Sequence, residues 1–267
     1  MKIHLFKIEC LTDLHVGNGE ANYSIIDNEV QKDTVLSDVP VIHASSLKGA
    51  LRDHFQHLWG EGKKDLINEI FGDKDNAGSY KFFGALCIAR PLRVSSGRRP
   101  YMLCAGADAL ESFSHLLKGL GVSERFSFEK ASFFKDPAEG NFFVHGCDGP
   151  EKETFEIEGE KTQELKTDDG TIAFLEEIIG KDFAVAGSLR DYDLPVRARN
   201  CLEKGQSKNL WYEEVVPHKS IFCFAIIAPR DGCKLTFEDD PVQFGGNASI
   251  GNGYTKITEV FLHEERN

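Results

Sequence analysis

Residues 45–59 read SSLKGALRDHFQHLW, and Leu47, Leu51, Phe55 and Leu58 recur at helical spacing as one apolar stripe. Ser45 and Ser46 supply hydroxyls of the kind that open helices, while Lys48 and Arg52 fall together on a neighbouring face. Upstream, MKIHLFKIEC (1–10) alternates apolar and polar residues, the period of a strand over about Lys2 to Leu11. Downstream, IFCFAIIA (221–228) is an unbroken apolar run of the length of a buried central strand. A further strand near Ala85–Arg93 and a helix near Asp108–Leu120 lie between them. Strand and helix periods mixed along one chain predict an α+β fold with a ferredoxin-like core and long insertions, in a single domain over residues 1–267.

FGGNASIGNGY (244–254) places four glycines in eleven positions. Glycine permits positive φ and close backbone approach, so such a loop is either a phosphate cradle or a tight connection between strands. It carries neither the Gly-Lys ending of a nucleoside-triphosphate loop nor the G-x-G-x-x-G of a dinucleotide fold. Glycine content alone leaves both readings open.

The formal net charge of −12 argues against a nucleic-acid binder held by bulk electrostatics. Its distribution is uneven. Glu151 to Glu177 holds ten acidic residues and three lysines, which predicts a solvated acidic insertion. RPLRVSSGRRP (90–100) has four arginines and no carboxylate, so it is an exposed basic hairpin or a local anion-binding face. Seven cysteines without a C-x-x-C predict reduced thiols, neither a disulfide framework nor a zinc site. No apolar run approaches the roughly 20 residues of a membrane span, and the N-terminal residues read as a strand. A cytoplasmic, membrane-free location is the expectation.

Five stretches match one family in order: LTDLHVGNGE (11–20), SIIDNEVQKD (24–33), HASSLKGALRD (43–53), LPVRARNCLEKGQSKNLWYEEVVP (194–217) and FGGNASIGNGY. With them the chain resembles the repeat-associated (RAMP) superfamily of CRISPR proteins, and within it the target-cleaving backbone subunits of type III-B Cmr effector complexes. The resemblance implies an RRM-like RAMP palm with a β-hairpin thumb over about 195–216. Such subunits line up in copies along a guide crRNA, beside other Cmr subunits, and cut the paired single-stranded target RNA at regular intervals. Two other roles stay open: a non-catalytic RNA-binding scaffold of the same kind of complex, and an endoribonuclease that processes guide precursors.

The resemblance assigns the slicing carboxylate to Asp27, with Asp33 its local competitor. It also implies a divalent ion, Mg²⁺ or Mn²⁺, held weakly by Asp27. His15 is expected to give support, and Glu214, with Glu213 beside it, is the candidate second carboxylate. RNA contacts are expected from Ser45, Ser46, Lys48 and Arg52, and from Gly245, Gly246, Asn247 and Gly251. In the thumb, Arg197 and Arg199 would hold phosphates while Leu202, Leu210 and Trp211 wedge between bases. The hairpin reads as two strands, with Val196, Ala198 and Asn200 set against Leu210, Tyr212 and Glu214.

Overall fold

The computed structural model describes residues 1–19, 25–36, 38–122, 142–146, 156–237 and 240–260. At its centre lie four strands: β1 (Lys2–Cys10), β5 (Ala85–Ser96), β13 (Ile221–Ala228) and β15 (Tyr254–Glu259). They are ordered β15-β1-β13-β5 with every neighbouring pair antiparallel, Leu5 facing Ala225 and Ile8 facing Ile257. The connection from β1 to β5 passes through helix α1 (Ala44–Trp59) and leaves a gap that β13 fills.

Alternation along the strands assigns each side chain to a face. Phe6, Ile8 and Cys10 of β1 and Phe222, Phe224 and Ile226 of β13 join one core with Leu47, Leu51 and Phe55 of α1. Leu5, Ile221 and Cys223 point the other way, onto α3 (Ala107–Gly119) and α4 (Asp169–Ile178). With both faces covered, IFCFAIIA has no polar positions to alternate with. The α1 stripe continues through Trp59, whose ring lies 4.5 Å from that of Phe55, whereas Leu58 is exposed. Removing the fully buried Phe55 ring by Phe55→Ala would cost about 3–5 kcal/mol. The helix begins earlier than its serines suggest: His43 is the N-cap residue, and Ser45 and Ser46 sit inside the first turn.

A ring of strands extends the sheet. From β5 it runs through β6 (Tyr101–Gly106), β10 (Phe183–Ala186), β7 (Phe142–His145), β9 (Glu160–Glu164) and β8 (Glu156–Ile157), and closes where Val94 meets Ile157. Leu92, Met102, Cys104, Phe142, Ile157 and Ala184 fill this barrel-like turn. Residues 156–177 of the acidic segment therefore are not a solvated insertion. Ile157 and Leu165 are buried, as are Phe174, Leu175 and Ile178 on one side of α4, and the carboxylates alternate outward from them. Residues 151–155 lie outside the described residues.

The arginine-rich stretch is the end of β5 and the turn into β6, and its Arg90, Arg93 and Arg99 are engaged within the protein. Arg93 pairs with Glu158 and Arg99 with Asp182, while Arg90 is buried and donates to backbone carbonyls. Cys10, Cys87, Cys104 and Cys223 are buried free thiols, whereas Cys201 and Cys233 are exposed free thiols; Cys147 lies outside the described residues. Among the described residues, no helix is long and apolar enough to cross a membrane.

Strands β11 (Val196–Glu203) and β12 (Gln206–Glu214) form a separate two-stranded hairpin. Val196 faces Glu214, Ala198 faces Tyr212 and Asn200 faces Leu210, the register read from the alternation. Lys204 and Gly205 turn the chain with φ of 51° and 79°, the paired positive values that suit a right-twisted two-residue hairpin loop.

Candidate functional site

Three segments distant in sequence meet at the root of the hairpin. The loop after β1 pairs with the chain just beyond β12 through mutual Leu14 and Val216 amide-to-carbonyl bonds of 2.8 Å. His15, which is buried, places Nδ1 2.7 Å from the Glu214 carbonyl. Its Nε2 lies close against Gly17, 3.1 Å from where a Cβ on that glycine would sit. The His15 carbonyl in turn accepts the Gly246 amide at 2.9 Å, and the Asp13 carbonyl accepts that of Gly253 at 2.8 Å.

This packing explains the glycine loop. Gly245 has φ 75°, and a Cβ there would collide with the His15 carbonyl; Gly253 has φ 80°, and its Cβ would collide with the Phe244 carbonyl. Bare backbone is needed at these two positions so that the loop can lie on its own protein. The amides of Gly246 and Gly251 are engaged with the carbonyls of His15 and Ala248. A cradle in which those two amides grip phosphate is thus corrected to a buttressed turn that presents Ala248, Ser249 and Ile250 outward. Gly245→Ala is expected to destabilise the fold by about 1–3 kcal/mol, read as a lower thermal midpoint. At Gly246 an added Cβ meets only ordinary contacts. Gly246→Val should therefore fold normally, so any loss of RNA binding by that variant reports the outer surface of the loop.

Asp27 sits on the same root and is exposed. Its Oδ2 accepts the Tyr212 amide of β12 at 2.8 Å, while the amides of Asp27 and Asn28 both donate to the Tyr212 carbonyl. The Glu214 amide closes the pairing onto the Asn28 carbonyl at 2.9 Å. Asp27 is therefore a presented carboxylate with one oxygen anchored to the hairpin. Asp33 has a different task, since its Oδ1 accepts the amides of Val35 and Leu36 and holds a local turn.

Glu213 and Glu214, the candidate second carboxylates, are buried. Glu213 accepts Trp211 Nε1 at 2.8 Å and Asn247 Nδ2 at 2.9 Å, with Arg199 3.4 Å away. Glu214 accepts the Val30 amide at 3.2 Å and Lys32 Nζ at 2.7 Å. Burying a carboxylate is costly unless its oxygens are hydrogen-bonded in this way. Both are engaged in bracing the hairpin root and the loop that carries Asp27. No group of three or more His, Cys, Asp or Glu side chains among the described residues could hold a metal. Glu213 and Glu214 are engaged elsewhere, so a divalent ion on Asp27 would have that one carboxylate and its own waters as ligands.

The expected RNA contacts divide in the same manner. Ser45 and Ser46 are exposed and Lys48 is half-buried at the start of α1. Arg52 is turned away, with its guanidinium bonded to the Gly72 carbonyl and, at 2.9 Å, to Asn68 Oδ1, where it caps helix α2 (Lys64–Phe71). Arg197 grips Asp13 Oδ2 through Nε and a terminal nitrogen, at 3.0 and 2.7 Å, and Arg199 pairs with Glu213. Arg197 ties the hairpin to the body and Arg199 bridges the two strands of the hairpin, so both are engaged with carboxylates. Trp211 is half-buried and tethered through its indole N–H, whereas Leu202 and Leu210 are 64% and 51% exposed. The structural roles of Asp13 and of the Asn247 side chain had no local signature, because their partners lie 184 and 34 positions away.

The sequence model of the RAMP superfamily matches residues 7–256. The chain belongs to the RAMP superfamily. It is 25% identical to the CRISPR system Cmr endoribonuclease Cmr4 of Pyrococcus furiosus, over 97% of this chain and 96% of that protein. Among solved structures, a chain of the type III-B Cmr-beta complex bound to cognate target RNA superposes with a TM-score of 0.76 at 22% identity, covering 97% of this RAMP chain and 98% of that one. Oligomeric Cmr4 from Pyrococcus furiosus gives 0.68 at 20% identity, with 99% and 100% covered. These likenesses establish the mixed α/β RAMP fold.

Proposed function

We propose that this chain is the repeated backbone subunit of a type III-B CRISPR ribonucleoprotein, binding guide crRNA and cutting the paired target RNA at regular intervals. The observation that carries the reading is the exposed Asp27 carboxylate, anchored by the Tyr212 amide to the root of an exposed hairpin. The four central strands serve as a ferredoxin-like, RRM-like palm, and β11–β12 as the thumb. Copies of the chain and other Cmr subunits are its protein partners, as the oligomeric and complex-bound relatives suggest.

Cleavage follows from placement. A 2′-hydroxyl can displace the adjacent 5′-oxygen only when the 2′-oxygen, phosphorus and leaving oxygen stand in line, a geometry that a stacked duplex prevents. The thumb separates one step, and the exposed Asp27 carboxylate beside it takes the 2′-hydroxyl proton. As the 2′-oxygen attacks phosphorus, the P–O5′ bond breaks and the departing 5′-oxygen takes a proton from solvent, balancing the one passed to Asp27 and leaving a 2′,3′-cyclic phosphate and a 5′-hydroxyl. His15 holds the thumb root through the Glu214 carbonyl, a positioning role. A divalent ion held by Asp27 would add electrostatic stabilisation at the scissile phosphate.

The test is to incubate the assembled complex with a guide-matched, end-labelled RNA. A ladder of evenly spaced products supports the reading; binding without products assigns a scaffold; cutting of repeat RNA by the lone chain assigns a guide processor. At the start of α1, first-turn amides, two exposed serines and Lys48 suit a guide phosphate. Lys48→Ala is expected to weaken guide binding and lower the salt slope by roughly 0.7, one counterion on the single-strand scale. An unchanged slope would remove Lys48 from the interface.

A further inference from the structure

A cavity of about 210 Å³ lies behind the Asp27 loop. Its walls include Lys32, Pro40, Arg90, Asp108, Leu189 and Glu214. Part of it is built at considerable energetic cost. Arg90 is buried and donates to the carbonyls of Leu189, Tyr192 and Asp193, at 2.7 Å for Leu189 and 3.2 Å for Asp193, so a buried cation holds the 189–193 segment in place as a roof. Unpaired buried charge is expensive, and a guanidinium placed against three carbonyls is a strong clamp.

One wall carries an unmet hydrogen bond. Asp108 folds back over the start of α3, its Oδ1 accepting the Ala109 amide at 2.8 Å, and a side chain at Gly106 would obstruct that pose. Its Oδ2 is buried and makes no well-formed hydrogen bond among the described residues, with the Ser188 side chain beside the carboxylate. Burial raises the Asp108 carboxyl above the usual carboxylate range. An orphaned acceptor beside a cavity calls for a ligand donor or a water.

The lining selects the ligand. Phosphate is disfavoured by Asp38, Asp108, Asp193 and Glu214, and a cation by Lys32, Arg90 and Arg190. Pro40, Leu189 and Leu194 add apolar surface. A neutral, flat group with donors and acceptors along its edge fits this mixture. The volume is below the roughly 300–1,000 Å³ of pockets for drug-sized molecules, which matches a single heterocycle. Cys87 also lines the cavity, but burial pushes its thiol up to about 12, so it is no nucleophile.

Resting on the cleavage reading above, we propose that this cavity receives the nucleobase of the target nucleotide displaced at the cut step. Glu214 links the two places: its carboxylate holds Lys32 in the cavity wall, and its amide binds Asn28 beside Asp27. A base swung out so that its 2′-oxygen can align must leave the stack, and extruded bases are held by edge hydrogen bonds within a snug pocket. Asp108 Oδ2 would accept an exocyclic amine or ring N–H.

The experiment uses the assembled complex and targets carrying 2-aminopurine at each position of one repeat interval. One position should brighten on unstacking and be shielded from acrylamide quenching. Leu189→Phe, which narrows the cavity, should leave that base bright but expose it to quencher, and Asp108→Ala should reduce shielding about tenfold, the scale of one lost hydrogen bond. A ladder of products from wild-type complex whose bright base is as quenchable as in Leu189→Phe overturns the cavity while leaving the cleavage reading intact. Absence of both ladder and bright position overturns both. Shielding of free 2-aminopurine riboside by the lone chain, with none of the RNA base, assigns the cavity to a free nucleoside and overturns the link to cutting.

Discussion

Asp27→Asn is expected to abolish evenly spaced cutting, by roughly 10²- to 10⁴-fold in rate, the range that a positioned general base contributes. Guide binding and assembly should persist. The amide side chain keeps an oxygen for the Tyr212 N–H, so the loop remains docked on β12 while the base is gone. Asp27→Ala removes both, and comparison of the pair separates chemistry from docking. If Asn is inactive and Ala is equally inactive with unaltered target affinity, Oδ2 serves the hairpin little and Oδ1 is the reacting atom. Asp33→Ala is the control: that carboxylate holds the turn at Val35 and Leu36 and should leave cutting largely intact. Normal single-turnover rates in Asp27→Asn complexes would remove the assignment.

What could be read from sequence follows a physical line. IFCFAIIA and the alternation over β1 were legible because burial on two faces, or on one, is written in neighbouring residues. The hairpin register was legible for the same reason, since period-2 patterning and a Lys-Gly turn specify pairing locally. The start of α1 was misplaced because serine preference is a weak local bias. Backbone geometry at His43, φ −58° and ψ 148°, sets the cap instead.

The acidic segment concealed its strands and helix since net charge drew attention away from Ile157, Leu165, Phe174 and Ile178, which carry the burial. The state of Glu213 and Glu214 could not be read at all. Side by side in LWYEE they look solvated, and only the arrival of Asn247 from 34 positions away and Lys32 from 182 makes them buried struts. Asp27 was singled out by its place in a family motif alone, and its bond to Tyr212, 185 positions away, had no local signature. Long-range pairing of loops decides this site, and one sequence records no such pairing.

Shortening the hairpin is expected to have the broadest effect. Replacing Cys201–Asn209 by Asn-Gly leaves the facing pair Asn200 and Leu210 to close a two-residue turn. The monomer should keep its thermal midpoint, because these residues are exposed and the anchors lie lower, at Arg197–Asp13, Asn247–Glu213 and Asn28–Glu214. Leu202, at 64% exposure, goes with the tip, and Leu210 loses its reach. An apolar side chain this exposed gains nothing for the isolated chain, whereas inserted at a base step it can offset part of the few kcal/mol that unstacking costs. Under the thumb reading, the shortened chain binds guide RNA through α1 yet fails to form regular arrays, and target is bound but not cut at even intervals. The single substitution Leu202→Ser separates the two losses: assembly should survive while cutting falls, since only the wedge is removed. Should the shortened chain assemble and still yield an evenly spaced ladder, the hairpin is not the thumb, and the spacing must arise from the palm-to-palm repeat alone.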